Sequence, residues 1–143
     1  MDATTLPAPL AETREDFLAL GVKDRLQLLL EFSNELPERY RDHPDLLEKV
    51  EECQSPVYIF VEVVDGHVHL HATAPAESPT TRGFASILVQ GLDGLTVDEV
   101  LDVPADYPQS LGLAEAVSPL RVRGMTGMLG RVKRQVRARV AAA

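Results

Sequence analysis

The sequence has one cysteine, no long apolar run and, beyond Glu115, no acidic residue. The single cysteine among 143 residues excludes an internal disulfide and is typical of a reducing compartment, so we expect a cytoplasmic protein. No segment approaches the roughly 20 consecutive apolar residues that cross a bilayer. Residues 1–12 lack the basic and apolar regions of a secretory signal. The sequence therefore predicts neither membrane insertion nor secretion.

Familiar catalytic and nucleotide-binding motifs are also missing. The sequence contains no Walker A loop, no dinucleotide-binding glycine fingerprint, and neither a His-Glu-x-x-His nor a Cys-x-x-Cys motif. Its glycines, such as Gly91, Gly94, Gly124 and Gly127, indicate helix ends and close packing instead of a phosphate cradle. The sequence thus predicts no cofactor of its own.

Charge is unevenly distributed along the chain. The formal net charge is −8, all 22 acidic residues lie at or before Glu115, and half of the 14 basic residues follow Leu120. An acidic body argues against nucleic acid as the main partner, because phosphate neutralisation needs a basic surface. Basic residues late in a terminal helix complement the helix dipole, which we favour over a nucleic-acid or membrane patch. A docking surface for an acidic protein is a third interpretation.

Helices are predicted in the first third of the chain. Thr13 and the acidic residues after it resemble a helix N-terminal capping pattern, and Gly21 interrupts this first helix. Asp24 is expected to cap a second helix, which ends at Pro37. A further short helix is expected over residues 45–52, immediately before the cysteine.

A β-hairpin is predicted in the middle of the chain. Residues 57–64 are rich in β-branched and aromatic side chains, and residues 67–73 alternate polar and apolar side chains. Asp65 and Gly66 between them are a hairpin turn signal, because glycine accepts the positive φ that such turns require.

Three histidines alternate along the second predicted strand. An extended strand places His67, His69 and His71 on one face, where histidines spaced by two residues can share a metal ion. We favour a polar, solvent-facing strand instead, because no carboxylate or thiolate is placed locally to complete a tetrahedral site. The sequence leaves metal binding at this face open.

The second half of the chain is predicted to be mainly helical. After a loop over residues 74–81, an apolar helix is expected over residues 82–90. Thr96 and Glu99 have the spacing of a capping box, which predicts a short helix after Thr96. The last helix is expected over residues 124–139. Its predicted buried stripe consists of Met125, Met128, Leu129, Val132 and Val136.

The order of these elements predicts one α+β domain. Hydrophobic residues make up 45% of the chain and charged residues 25%, which is typical of a globular protein. Helices, then a hairpin, then helices indicate the α+β class. We expect a loose, flexible arm over residues 1–11, because they carry two prolines and no periodicity, and a compact domain over residues 12–140.

The lone cysteine is the main candidate for chemistry. A lone cysteine is most often a small buried hydrophobe, but Cys53 precedes Gln54, Ser55 and Pro56, a polar connection of the kind that carries reactive groups. The helix C-terminus predicted before Cys53 and the two preceding glutamates disfavour a thiolate. An acceptor thiol that relies on a partner, or on a cation supplied by the fold, is therefore favoured over a self-sufficient nucleophile.

Several motifs occur together in a characteristic order. Residues 52–58 read Glu-Cys-Gln-Ser-Pro-Val-Tyr, residues 82–84 Arg-Gly-Phe, residues 111–113 Leu-Gly-Leu, and residues 117–121 Val-Ser-Pro-Leu-Arg. Gly-Met and a second methionine follow at residues 124–128. In order and spacing this set resembles the SufE family, the sulfur-acceptor proteins of iron–sulfur cluster assembly, from about Phe17 to Val136.

The chain departs from the family pattern at three places. Tyr58 stands where the family usually has tryptophan, and Leu120 replaces a serine. The family often carries Asp-Ser-Asp before the Arg-Gly step, whereas this chain has Pro-Ala-Glu-Ser-Pro over residues 75–79. Glu77 is the residue there that can substitute for one of the acids.

The resemblance implies a fold and a function. The fold is a compact domain with helices packed on a small antiparallel sheet, like the scaffold proteins of cluster assembly. The implied function is to take persulfide sulfur from a pyridoxal-phosphate-dependent cysteine desulfurase onto Cys53, to stimulate that enzyme, and to pass the sulfur to an iron–sulfur scaffold. The pyridoxal phosphate belongs to the desulfurase, and a monomer or weak dimer is expected.

The resemblance also implies roles for residues around the cysteine. Arg121 matches the family's arginine and is expected near the Cys53 loop, where a guanidinium favours a thiolate or persulfide anion. A surface arginine that caps the last helix is the alternative for Arg121. Gln54, Ser55, Glu77 and Arg82 are predicted to form the loop and the partner-docking region.

Three other functions compete with sulfur transfer. A regulator that docks on the desulfurase without carrying sulfur predicts full stimulation by Cys53→Ala. A cluster scaffold predicts iron binding, against which the single cysteine argues. A stand-alone thiol enzyme, such as a peroxidase, predicts that Cys53 reacts with oxidant when no partner is present. Whether the Cys53 loop is buried at rest is left open, with burial expected because an exposed persulfide is easily reduced.

Overall fold

A computed structural model describes residues 6–37, 47–51 and 56–142. Helices pack on a small antiparallel sheet, which confirms the predicted α+β class. The elements are α1 (Ala8–Leu18), α2 (Val22–Ser33), β1 (Glu48–Lys49), β2 (Tyr58–Val64), β3 (His67–Thr73), α3 (Pro79–Leu92), α4 (Val97–Leu101), α5 (Tyr107–Ser110) and α6 (Pro119–Ala142).

The sheet has the order β1-β2-β3, with both neighbouring pairs antiparallel. β2 and β3 form the predicted hairpin, with Tyr58 opposite Thr73 at its open end. Asp65 and Gly66 at the turn have φ values of 54° and 79°, which is the backbone that the shortest hairpin connections require. The strand and turn predictions are therefore confirmed.

Helix α3 is the central helix of the domain. It contacts α1, α2, α6 and β3, and most of its side chains are buried. A Cβ atom on Gly83 would lie 2.3 Å from the carbonyl oxygen of Leu29 in α2. The glycine of the Arg-Gly step is thus needed because α2 and α3 approach each other too closely for a side chain.

Helix α6 covers the sheet on the side of β2. It begins at Pro119, earlier than predicted, because proline is tolerated in a first helical turn. It ends at Ala142, three residues later than predicted. The predicted apolar stripe from Met125 to Val136 is buried. Among the described helices, α6 included, none is both long and apolar enough to cross a membrane.

The predicted N-terminal arm is wrong for residues 8–11, which form the first turn of α1. Leu10 there is fully buried. Pro7 lies at the N-cap and Pro9 within the first turn, where a missing N–H costs no helical hydrogen bond. Thr13 lies inside this helix and donates to the Pro9 carbonyl, so it is not a cap. Residues 1–5 lie outside the described residues.

The helix predicted over residues 45–52 is also wrong where the chain is described. Glu48 and Lys49 form β1, and residue 51 is in a turn. The pattern of local propensity is overridden by pairing with β2 and by contacts from α6. As a result, the argument that a helix C-terminus disfavours a Cys53 thiolate no longer holds.

Smaller differences concern helix ends. Gly21, and not Asp24, is the N-cap of α2, and the helix ends at Ser33 before Pro37. α3 begins at Pro79, inside the predicted loop, because proline is tolerated in the first turn of a helix. The capping box of Thr96 and Glu99 is present at the start of α4, as predicted.

Candidate functional site: the end of the sheet where β2 begins

Cys53, Gln54 and Ser55 lie outside the described residues, but the chain on both sides of them is described. β1 pairs with the start of β2. Beyond this pair, the N–H of Val50 donates to the carbonyl oxygen of Val57 at 2.8 Å, and both residues are fully buried. Residues 51–56 are therefore the connection of a second β-hairpin, whose two ends are joined by a backbone hydrogen bond.

Glu48 fixes β1 to helix α6. Its Oε2 accepts a hydrogen bond from Arg131 Nη1 at 2.6 Å and another from Arg134. Its Oε1 accepts from Gln135 Nε2 at 2.7 Å. Partial burial raises the pKa of the Glu48 carboxyl, but the hydrogen bonds from Gln135, Arg134 and Arg131 outweigh this effect and lower the pKa below its usual value.

Side chains of α6 also cover the edge of β2 beyond β1. The N–H of Val61 donates to Gln135 Oε1 at 2.9 Å, and Arg139 Nε donates to the Val61 carbonyl at 2.9 Å. Gln135 is buried and joins Val61 to Glu48 through its amide. These contacts satisfy backbone groups that an edge strand would otherwise leave unpaired.

The basic tail is therefore largely used within the molecule. Arg131 and Arg134 bind Glu48, Arg139 binds β2, and Lys133 donates to the Val103 carbonyl. Burial and the nearby Arg137 lower the pKa of Lys133, against a smaller opposing effect of Asp102. These contacts add a structural role that the charge pattern alone did not suggest.

Arg82 lies at the end of the sheet where β2 begins. Its Nη1 donates to the carbonyl of Ala74 at 2.6 Å, and its Nε donates to the carbonyl of Ser33 at 2.8 Å. Ala74 follows Thr73, the residue paired with Tyr58. The guanidinium thus ties the end of α2 to the chain that leaves β3, beside the strand that follows the cysteine.

Arg121 is brought to the same region. Its Nη1 donates to Thr81 Oγ1 at 3.1 Å, and Thr81 is buried next to Arg82 on α3. Two guanidinium groups that are distant in the sequence therefore bind neighbouring parts of the fold around one turn of α3. The predicted proximity of Arg121 to Cys53 stays a prediction, since Cys53 is not described.

A cleft of about 510 Å³ opens beside Arg82. It is lined by Ser33 and Asn34 at the end of α2 and by residues 74–77, which follow β3. Glu77 is exposed at this cleft. The structure thus places Glu77 and Arg82 along one cleft, and Arg121 against the residue that precedes Arg82 on α3.

Two of the three histidines on β3, His69 and His71, lie close to carboxylates. His71 Nε2 lies 2.9 Å from Glu62 Oε1, and His69 Nδ1 lies 3.4 Å from Asp93 Oδ1. His71 is only 5% exposed, so the predicted solvent-facing character is wrong for that residue. Within residues 6–37, 47–51 and 56–142, no three His, Cys, Asp or Glu side chains are grouped to hold a metal ion.

Two residues of this region were missed by the sequence. Glu48 fell in a segment predicted as helix, and Gln135 was passed over in the final helix. The available signal was the polarity of Gln135 beside Val136, because a polar side chain next to an apolar stripe needs a hydrogen-bond partner when buried. No comparable signal identified Glu48.

Comparison with known proteins gives one consistent result. The profile of the SufE family, described as an Fe-S metabolism associated domain, matches residues 11–136. An uncharacterized SufE-like protein of Mycobacterium tuberculosis is 52% identical over 136 residues, covering 93% of this chain and 94% of its own. A SufE-like protein of Synechocystis is 31% identical over 125 residues, covering 87% and 77%.

A solved structure matches the fold as well. The solution structure of a hypothetical protein from Thermus thermophilus superposes with a TM-score of 0.84 at 36% identity, covering 96% of this chain and 99% of that one. The family profile, the relatives and the fold agree over most of the chain. This chain therefore belongs to the SufE family and has a role in Fe–S metabolism.

Proposed function

We propose that the protein accepts sulfur from a cysteine desulfurase on Cys53, stimulates that enzyme by removing its sulfur, and passes the sulfur to an iron–sulfur scaffold. The Cys53 thiolate attacks the terminal sulfur of the persulfide on the desulfurase. A new S–S bond forms on Cys53, the S–S bond on the desulfurase breaks, and the desulfurase cysteine leaves as a thiolate. The exchange has no net oxidation, and its rate depends on the thiolate fraction and access of the attacking thiol.

The observation that carries this proposal is the hairpin that contains Cys53. The Val50–Val57 hydrogen bond joins the two ends of the connection, and both ends belong to the packed sheet. Reactive groups are commonly presented in this way, on a loop whose ends are held by a rigid scaffold. A single cysteine on such a loop fits a protein that carries sulfur as a persulfide. It fits an iron–sulfur scaffold less well, because a cluster needs several ligands.

The electrostatic part of the proposal rests on the two arginines. Arg82 is held by two backbone carbonyls, and Arg121 by Thr81. Cations fixed at the end of the sheet where β2 begins favour an anionic sulfur on the adjoining hairpin. They also offset the negative charge of Glu51, which is exposed at the start of the connection. We assign anion stabilisation to Arg121 and a docking role to the cleft with Arg82 and Glu77.

The proposal is tested by intact mass spectrometry. Wild-type protein and Cys53→Ser are incubated with a cysteine desulfurase and free cysteine, without reductant. Addition of sulfur atoms to the wild type alone is the expected result. No added sulfur, with the desulfurase stimulated equally by both proteins, would instead identify a docking regulator. No added sulfur and no stimulation by either protein would contradict the proposal altogether.

A further inference from the structure

Strand β1 is too short to hold the cysteine hairpin by itself. It has two residues, Glu48 and Lys49, and a ladder of this length is marginal without further contacts. Nevertheless, the Val50–Val57 hydrogen bond that joins the ends of the hairpin connection directly continues this ladder. Contacts outside the ladder therefore help to keep β1 in place, and one of them is the burial of Val50 in the core.

Glu48 supplies a second such contact. Both of its carboxylate oxygens accept hydrogen bonds, and the donors Arg131, Arg134 and Gln135 stand on two adjacent turns of α6. The same stretch of α6 is fixed in the core by Leu129, Val132 and Val136, which are at most 1% exposed. The hydrogen bonds of Glu48 thus fix β1 to α6, the longest described helix, next to a face of that helix that is packed in the core.

We propose that Glu48 is a positioning residue for Cys53, which it serves by pinning β1 to α6 and so keeping the ends of the 51–56 connection joined. Glu48 precedes Cys53 in the same hairpin and takes no part in the sulfur exchange. Its effect is on the number of conformations available to the connection, because a loop with fixed ends has fewer of them. Loss of such orientation lowers the rate of a reaction without removing any reacting group. The inference rests on the proposed sulfur transfer.

The test compares Glu48→Ala and Glu48→Gln with the wild type and with Glu15→Gln, which removes an exposed carboxylate on α1. Glu48→Gln keeps one oxygen acceptor and is the conservative variant. Three quantities are measured for each protein: kcat and KM for sulfur transfer from the desulfurase, the pH profile of Cys53 alkylation by iodoacetamide, and amide exchange at Val50.

The expected result is a kcat for Glu48→Ala that is lower by on the order of tenfold, with KM changed by less than about twofold. Its alkylation profile shifts along the pH axis, Val50 exchanges faster, and Glu48→Gln recovers part of each effect. Glu15→Gln behaves as wild type. General destabilisation would not shift the alkylation profile of the folded protein, so this readout separates positioning from stability.

Two results would overturn the inference. One is an unchanged kcat and alkylation profile in Glu48→Ala although Val50 exchanges faster. The other is equal loss in Glu48→Ala and Glu15→Gln, which would make net charge the cause. If Glu48→Ala fails to fold, the comparison of Glu48→Gln with Glu15→Gln decides. Failure of the proposed function is distinct, because then wild-type protein itself gains no sulfur, while alkylation still reports on Glu48.

Discussion

The two outer sides of the β2–β3 hairpin, called here the β2 edge and the β3 edge, are protected in different ways. At the edge of β3, the chain after α3 provides mainly backbone partners: Val68 donates to Leu95 at 2.7 Å and accepts from Gly94 at 2.6 Å. The Leu70 N–H donates to the Asp93 carboxylate at 3.1 Å. At the edge of β2, the partners are the two-residue strand β1 and the side chains of Gln135 and Arg139. The β3 edge is closed mainly by backbone groups and the β2 edge largely by polar side chains.

The edge that is closed by side chains is the one next to the segment that contains Cys53 in the sequence. Most hydrogen bonds at the β3 edge join backbone groups, which do not titrate, and Asp93 is the carboxylate that accepts there. The β2 edge depends on the Glu48 carboxylate and on three guanidinium groups and one buried amide of α6. Residues 51–56 join β1 and β2 at this edge. We infer that substitutions at both edges destabilise the fold, whereas only those at the β2 edge slow sulfur transfer.

The largest effect is expected away from both edges, where α2 and α3 meet. In Gly83→Ala the new Cβ would meet the Leu29 carbonyl at 2.3 Å, and backbone cannot move aside cheaply. We expect the free energy of unfolding to fall by roughly 3 kcal/mol, as for severe overpacking, which urea denaturation measures. Gly130→Ala, where a Cβ meets nothing within 4 Å, is the control and should be neutral or slightly stabilising. Equal behaviour of the two would disprove the close approach of α2 and α3.

The next effect is expected at the β2 edge. Gln135→Leu leaves the Val61 N–H without its side-chain acceptor and removes one donor from Glu48, so unfolding free energy should fall by about 2 kcal/mol. Gln27→Leu removes an exposed amide on α2 and should cost less than about 0.5 kcal/mol. Sulfur transfer should be slower in Gln135→Leu only. Unimpaired transfer in that variant would argue against a link between this edge and Cys53.

A smaller effect is expected at the β3 edge. Thr96→Ala removes the capping box of α4, next to the backbone bonds that cover β3, and should lower the unfolding free energy by about 1 kcal/mol. Glu99→Gln keeps an acceptor for the Thr96 N–H and should lose less. Transfer to Cys53 should stay at the wild-type rate in both variants. A slower transfer in Thr96→Ala would show that the two edges are not functionally distinct.

The smallest effect is the pH dependence of the Glu48 contacts. The folded-state pKa of Glu48 lies below its usual value of 4.5, so the ionised carboxylate stabilises the fold above the unfolded-state pKa. This contribution is lost as the pH falls through the folded-state pKa. We expect less than about 1 kcal/mol, because solvent screens a partly exposed pair. The difference in unfolding free energy between wild type and Glu48→Gln should shrink on acidification, and a constant difference would contradict this.

The sequence predicted the parts of the fold that follow from local patterns. The β2–β3 hairpin follows from alternation and from Asp65-Gly66, and the buried stripe of α6 from helical spacing. The capping box at Thr96 is likewise a local signal. The resemblance of the motifs to the SufE family was enough for the fold class, because motifs such as Arg-Gly at residues 82–83 and Leu-Gly-Leu at residues 111–113 serve packing or a turn.

What the sequence missed depends on contacts between distant segments. Glu48 in β1 binds residues of α6 that lie more than 80 positions later in the chain, and no local pattern encodes these contacts. The N-terminal arm was overestimated because prolines were taken as helix breakers, although Pro7 and Pro9 occupy positions where a helix tolerates them. Tertiary packing likewise brings Arg121 of α6 to Thr81, the residue before Arg82 on α3.

The most direct test of sulfur transfer is to locate the transferred sulfur. The desulfurase reaction is run with cysteine carrying radioactive sulfur, and the protein is then alkylated and digested with trypsin without reductant. Cleavage after Lys49 and Arg82 releases residues 50–82, which contain the only cysteine. We predict label in this peptide, its release by dithiothreitol, and none in Cys53→Ser. Label elsewhere in the chain, or none in a wild-type protein that still stimulates the desulfurase, would contradict a persulfide carried on Cys53.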